Sequence, residues 1–161
     1  MVQDTLTAER IAAIEKELRH IAAIIKQKGR EILLQYPITA PQFVALQWLA
    51  DKGDMTTGEL SQTIRLAIST TTDIVDRLEK NELVKRVRDE KDRRIVRVHI
   101  LKKGEHIITE VIEKRQAYLK ELLETFSPEE ADQLQLLLHK LHGKMNDYEQ
   151  LEAKTEKKKR R

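Results

Sequence analysis

Ser69, Thr70, Thr72 and Asp73 stand together near the start of a stretch, Leu66 to Leu101, where Thr71, Ile74, Val75 and Leu78 recur at helical spacing. The spacing predicts a short helix with one packed face and one small, polar face left open. Short hydroxyl side chains can meet base edges or phosphates. A carboxylate beside a phosphate backbone is repelled unless it accepts from a cytosine amino group, so Asp73 is expected to act on specificity more than on affinity. The alternative for Ser69 is a plain helix N-cap. Downstream, Lys85, Arg86, Arg88, Lys91 and Arg93 form a basic run suited to neutralising phosphates. Arg77 has two readings, a phosphate contact or an ion pair with an acidic residue near that run.

These residues need elements to hold them. After Leu83 the pattern becomes a basic strand, a charged loop at 89–94, and a second strand in which Val96, Val98 and Ile100 alternate with Arg97 and His99. Before them, Thr56-Thr57-Gly58-Glu59 reads as a capping box for a short helix carrying Leu60 and Ile64. Two short helices joined by a tight turn and followed by a basic hairpin give winged helix-turn-helix geometry. Upstream, Thr39-Ala40-Pro41-Gln42 caps a helix that buries Phe43 and Leu46, with Trp48 in the core or an interface rather than in a ligand cavity.

Long helices flank this reader. Ile11, Ile14, Leu18, Ile21, Ile25 and Ile32 follow a three-four spacing from residue 8 to the break at Tyr36-Pro37. A helix apolar over more than one face calls for packing against another subunit, an intrachain bundle being the alternative. Residues 105–126 form a second long helix with Ile108, Val111, Leu119, Leu122 and Phe126 inward. Ser127-Pro128-Glu129-Glu130 caps a third, carrying Leu134, Leu137, Leu138, Leu141, Met145 and Tyr148. The expected class is therefore mainly α. One domain spans 1–152, with a winged helix at 39–101 set between dimerisation helices at 8–35 and 104–151, and a basic disordered tail follows at 153–161.

Composition agrees. The 161 residues are 40% apolar and 35% charged with a formal net charge of only +3, yet residues 85–97 contribute +4 and residues 154–161 contribute +5, leaving −6 on the remainder. Positive charge gathered on a hairpin and a tail draws a polyanion to one place. The six aromatic residues all lie outside the hairpin, which favours duplex DNA over stacked single strands. With no cysteine, disulfides, Cys-ligated zinc and thiol-based sensing drop out together. The chain shows neither a leader-like start nor a spanning apolar run, and a cytoplasmic location without membrane contact is expected. No nucleophile-base pair or glycine-rich phosphate loop stands out, so neither an enzyme nor a cofactor is expected. His139 and His142, three apart on one helix, are the only hint of a metal-responsive regulator. They read as surface histidines, and no metal ligand is assigned.

With these residues in view, the sequence resembles the MarR family of transcriptional regulators. The match runs from Thr39 to about Gly104 through Thr39, Gln42, Phe43 and Leu46; Thr56, Glu59 and Leu60; Val75-Asp76-Arg77-Leu78-Glu79; and Asp89-Glu90-Lys91-Asp92-Arg93-Arg94. The resemblance implies a homodimer held by its terminal helices on a pseudopalindromic operator, usually a repressor that a small ligand or an oxidant releases, with the pocket for a small molecule between the dimer helices and the DNA-reading part. It also implies that Arg94 enters the minor groove while Asp92 orients it, a role suited to arginine in a narrow, negative groove. Glu82 stands where the family has glycine, implying an altered turn, and Leu101 where it often has threonine, removing a hydroxyl cap. The competing function is a dimeric helical interaction protein that touches DNA without sequence preference.

Overall fold

A computed structural model describes residues 6–159. Residues 1–5, read above for a leader, and residues 160–161, the end of the basic tail, lie outside the described residues. The elements in order are α1 (Ala8–Leu33), α2 (Ala40–Lys52), β1 (Met55–Thr56), α3 (Thr57–Ile64), α4 (Ile68–Lys80), β2 (Val84–Arg88), β3 (Val96–Ile100), α5 (Lys102–Leu123) and α6 (Pro128–Lys159). They fall into two compact units, one ending at Gln116 and the other beginning at Ala117.

In the first unit the caps form as their residues dictate. The Thr39 hydroxyl accepts from the Gln42 N–H and Gln42 Oε1 accepts from the Thr39 N–H, at 3.4 and 3.0 Å. Thr56 and Glu59 repeat the arrangement at 3.1 and 2.8 Å. Each box satisfies two amides that a helix start would otherwise leave open. The sheet has the order β1-β3-β2, all antiparallel, with Arg86 opposite Val98 and Val84 opposite Ile100. The two-residue strand β1, which pairs Met55 with Val98, went unread in the sequence because so short a run carries no alternation. Phe43, Leu46, Leu49, Leu60, Val75, Leu78, Leu83, Val84, Val98 and Val111 are all at most 1% exposed and make one core between the helices and the sheet's inner face. Trp48 packs on its edge, with the Lys52 ammonium 4.8 Å from its ring centre.

Among the described residues, two that are not glycine take left-handed backbone. Arg65, at φ 57°, makes the turn between α3 and α4, and Glu82, at φ 60°, follows α4. Around Glu82 the Leu83 N–H donates to the Leu78 carbonyl at 2.9 Å and the Glu82 N–H donates to the Glu79 carbonyl at 3.0 Å. That is a Schellman closure, usually made with glycine at the left-handed position. The turn is thus kept despite the substitution, because Leu78 and Leu83, both fully buried, hold its two ends together. Helix α5 starts at Lys102, three residues earlier than expected, with no hydroxyl on Leu101 to cap it and the Leu101 carbonyl accepting from the Glu105 N–H.

The second unit holds the end of α5 and all of α6. Ser127 and Glu130 form the expected reciprocal cap at 3.2 and 2.9 Å. The helix does not stop near residue 152. It runs on to Lys159, so the basic run read as disordered is helical up to there. Alanine, glutamate and lysine are strong helix formers, and lysines at a helix C-terminus complement its dipole. A lack of apolar residues removes packing partners but not helix propensity.

Two stability changes should follow. A Cβ on buried Gly104 would lie 2.5 Å from the Leu83 carbonyl oxygen, so Gly104→Ala should lower unfolding free energy by about 1–3 kcal/mol, the usual cost of overpacking. Glu82→Gly should raise it by up to about 1 kcal/mol by relieving the left-handed strain. Urea unfolding at fixed protein concentration measures both, and a neutral Gly104→Ala would show that α5 is free to shift away from Leu83.

Candidate nucleic-acid interface

Helix α4 is amphipathic in the sense the sequence requires. Thr71, Ile74, Val75 and Leu78 are buried, and the Thr71 hydroxyl donates to the Ala67 carbonyl at 3.0 Å, so even the polar member of that face is satisfied. Ser69, Thr70 and Asp73 are exposed, and among the described residues none of their side chains is hydrogen-bonded or ion-paired. Thr72 is half-buried and its hydroxyl donates to the Ile68 carbonyl at 2.9 Å, leaving its oxygen able only to accept. The N-cap is Ala67 without a side-chain bond, so Ser69 is not the cap. Ile68, exposed at the head of the helix, was missed by reasoning that looked for polar groups.

The hairpin loop is built around aspartates. The Asp92 N–H donates to Asp89 Oδ2 at 3.1 Å, and the Asp89 N–H donates to the Ile95 carbonyl at 2.9 Å. Asp92 in turn accepts from the Arg94 N–H at 3.1 Å and, through both oxygens, from Arg94 Nε and Nη2 at 3.0 Å each. A two-point carboxylate grip fixes the plane of the guanidinium as well as its place. Arg94 is nonetheless 91% exposed. It is an arginine held at two points by one carboxylate and open to solvent. The Arg94 bonds hold the Asp92 carboxyl below the usual carboxylate range.

Of the other basic residues, Lys85, Arg88, Lys91 and Arg93 are exposed. Arg86 departs from its reading as a phosphate contact. It lies on the inner face of β2, opposite buried Val98, where Nη1 donates to Glu79 Oε1 at 2.9 Å and Nη2 to Asp76 Oδ1 at 2.5 Å. Burial opposes its charge, but the bonds to Asp76 and Glu79 outweigh that and raise its pKa. The signal was present in the sequence: Arg86 is two residues from core residue Val84, hence on the same face of the strand. The ion pair considered for Arg77 therefore belongs to Arg86. Arg77 is exposed, beside Lys80 in a shallow cleft with Pro37, Ile38, Thr39, Gln42 and Asn81. His139 and His142 are exposed on α6, with His142 Nε2 3.2 Å from Asn146 Nδ2, and among the described residues no group of three or more His, Asp or Glu side chains is gathered to hold a metal.

Known proteins share this fold. The MarR family model matches residues 38–96. The chain is 62% identical over 137 residues to YsmB of Bacillus subtilis, an HTH-type transcriptional regulator, covering 85% of this chain and 94% of that one. A MarR family protein from Bacillus stearothermophilus superposes with a TM-score of 0.84 at 57% identity, covering 88% of this chain and 99% of that chain. FabT of Streptococcus pneumoniae, solved in complex with DNA, shares the fold with a TM-score of 0.72 at 23% identity, over 85% of this chain and 98% of that one.

The grip on Arg94 can be read by titration. A carboxyl whose folded pKa is lowered stabilises the loop at neutral pH, and that contribution is lost only as pH falls through the lowered value. NMR should therefore show Asp92 titrating below an ordinary exposed aspartate, and Arg94→Ala should bring it back. An Asp92 midpoint unmoved by Arg94→Ala would mean that the pair does not persist in solution.

Proposed function

The chain belongs to the MarR family of helix-turn-helix transcriptional regulators, and we propose that a homodimer of it binds a pseudopalindromic operator in cytoplasmic double-stranded DNA as a repressor that a small-molecule effector releases. Each protomer inserts the first turns of α4 into the major groove, where Ser69, Thr70, Thr72 and Asp73 meet base edges or the adjacent phosphates. Arg94, oriented by Asp92, enters the neighbouring minor groove. Arg77, Arg88, Lys91 and Arg93 neutralise phosphates and supply affinity without sequence information. The observation that carries the reading is the exposed, carboxylate-held Arg94 in the same compact unit as the unoccupied outer face of α4.

Dimerisation rests on surface that one chain leaves in water. Ile11, Ile14, Leu18, Ile21 and Ile25 line α1 and are 38–54% exposed, and Leu137, Leu138, Leu141, Met145 and Tyr148 are exposed along α6. Apolar stripes of this extent mark an interface. With no cysteine in the chain, the releasing signal is a bound molecule rather than oxidation of its own thiols.

Selecting bound sequences from a random duplex pool should return two inverted half-sites with centres about one helical turn apart. Failure to enrich any sequence would favour the competing reading, a helical interaction protein with nonspecific DNA contact. On the selected operator, Arg94→Ala should cost about 1–3 kcal/mol at fixed salt, the size of one good DNA contact. Leu18→Glu, placing a charge in the α1 stripe, should shift the protein toward monomer in sedimentation and weaken operator binding with it.

A further inference from the structure

The ion pairs of Arg86 leave a question that phosphate contacts do not answer. Asp76 and Glu79 sit on the helix that the proposed reading brings to DNA, where a carboxylate is repelled by the phosphate backbone. Their geometry shows what they hold. Glu79 takes two bonds from one residue, Oε1 from Arg86 Nη1 and Oε2 from the Arg86 backbone N–H, both at 2.9 Å, while Asp76 takes the guanidinium's other arm. β2 is an outer strand of the sheet, so that backbone N–H points away from β3 and finds its acceptor on α4. The side chain of Arg86 is 29% exposed, against 91% for Arg94. It faces the helix and not the solvent.

We propose that Arg86 is a positioning residue that locks the β2–β3 ribbon to the recognition helix, setting the direction in which the Arg94 loop leaves the body of the protein. The inference rests on the DNA-reading function proposed above and adds a specificity-determining residue to it. Arg86 is two residues from the strand end at Arg88, about 7 Å along the ribbon, and the loop carrying Arg94 lies beyond. A small rotation at Arg86 therefore becomes a larger displacement at Arg94. Only a planar fork reaches two carboxylates and keeps one orientation, so lysine, with a single point charge, does not replace it.

Charge sign makes the test sharp. In a protein whose Asp76 and Glu79 merely face DNA, Asp76→Asn with Glu79→Gln removes two repelling charges and tightens binding to every duplex. With Arg86 as the lock, the same double variant weakens binding to the selected operator by about tenfold and holds or raises binding to random duplex. Arg86→Lys, with its charge kept, is expected to lose operator affinity by a similar factor while the slope of log affinity against log salt stays at the wild-type value. Wild-type operator affinity in Arg86→Lys, or a slope reduced by about 0.9 in Arg86→Met as for a lost phosphate contact, would overturn the proposal. A wild-type protein that does not distinguish operator from random duplex would instead count against the DNA-reading function. The lock is read without DNA by residual dipolar couplings of free wild type and Arg86→Lys, whose amide spectra also report folding. The ribbon should reorient against α4 in the variant, and unchanged couplings would overturn the proposal.

Discussion

Everything exposed on α4 depends on what is buried beneath it. Thr71, Ile74, Val75 and Leu78 fasten the helix to α2, α3 and the sheet, and Thr71 returns its hydroxyl to the Ala67 carbonyl so that no polar group is left unmet in the core. Removing those apolar groups from water is worth roughly 25 cal/mol per Å². That burial holds the helix in one rotation about its axis. Ser69, Thr70 and Asp73 then point outward by the 3.6-residue period alone. Their readiness to meet another molecule follows from the inward residues being unable to turn.

The hairpin solves a different problem, because a ribbon projecting from a small sheet has little core of its own. Its base is held by Val84, Val98 and Ile100 on the inner face, and above them the inner face is completed by Arg86 with its two carboxylates. Its tip has no apolar support and relies on hydrogen bonds among Asp89, Asp92, Arg94 and Ile95. From base to tip the holding force passes from apolar burial to an ion pair to surface hydrogen bonds. Exposed ion pairs contribute little to stability, which fits a tip whose task is to present an arginine rather than to hold the fold together.

The turn at Glu82 shows how tertiary packing overrides a local preference. Glycine is the residue that costs least there, yet the Schellman bonds close around glutamate because Leu78 and Leu83 are fully buried on either side. Gly104 is the converse case. No unusual backbone angle demands a glycine, but the Leu83 carbonyl and the side chains of Ile100 and Leu46 occupy the space a Cβ would need. The two positions meet at Leu83, whose carbonyl also accepts from the Leu101 N–H at 2.9 Å.

The order of the helices and of the two hairpin strands, all three capping boxes, the inward face of α4 and the separation of Asp92 and Arg94 from the core were legible in the sequence, because each is set by contacts between residues fewer than about ten positions apart. Periodicity and capping are local, and they survive translation into three dimensions. What the sequence could not yield was partnership across elements. A run of basic residues looks uniform on paper, and only the pairing of β2 with β3, together with the seating of α4 against them, separates Arg86, turned inward to Asp76 and Glu79, from Arg88, Lys91 and Arg93, which remain in solvent. The strand β1 and the crowding at Gly104 were decided the same way, by residues distant in the chain that come together only once the core has formed.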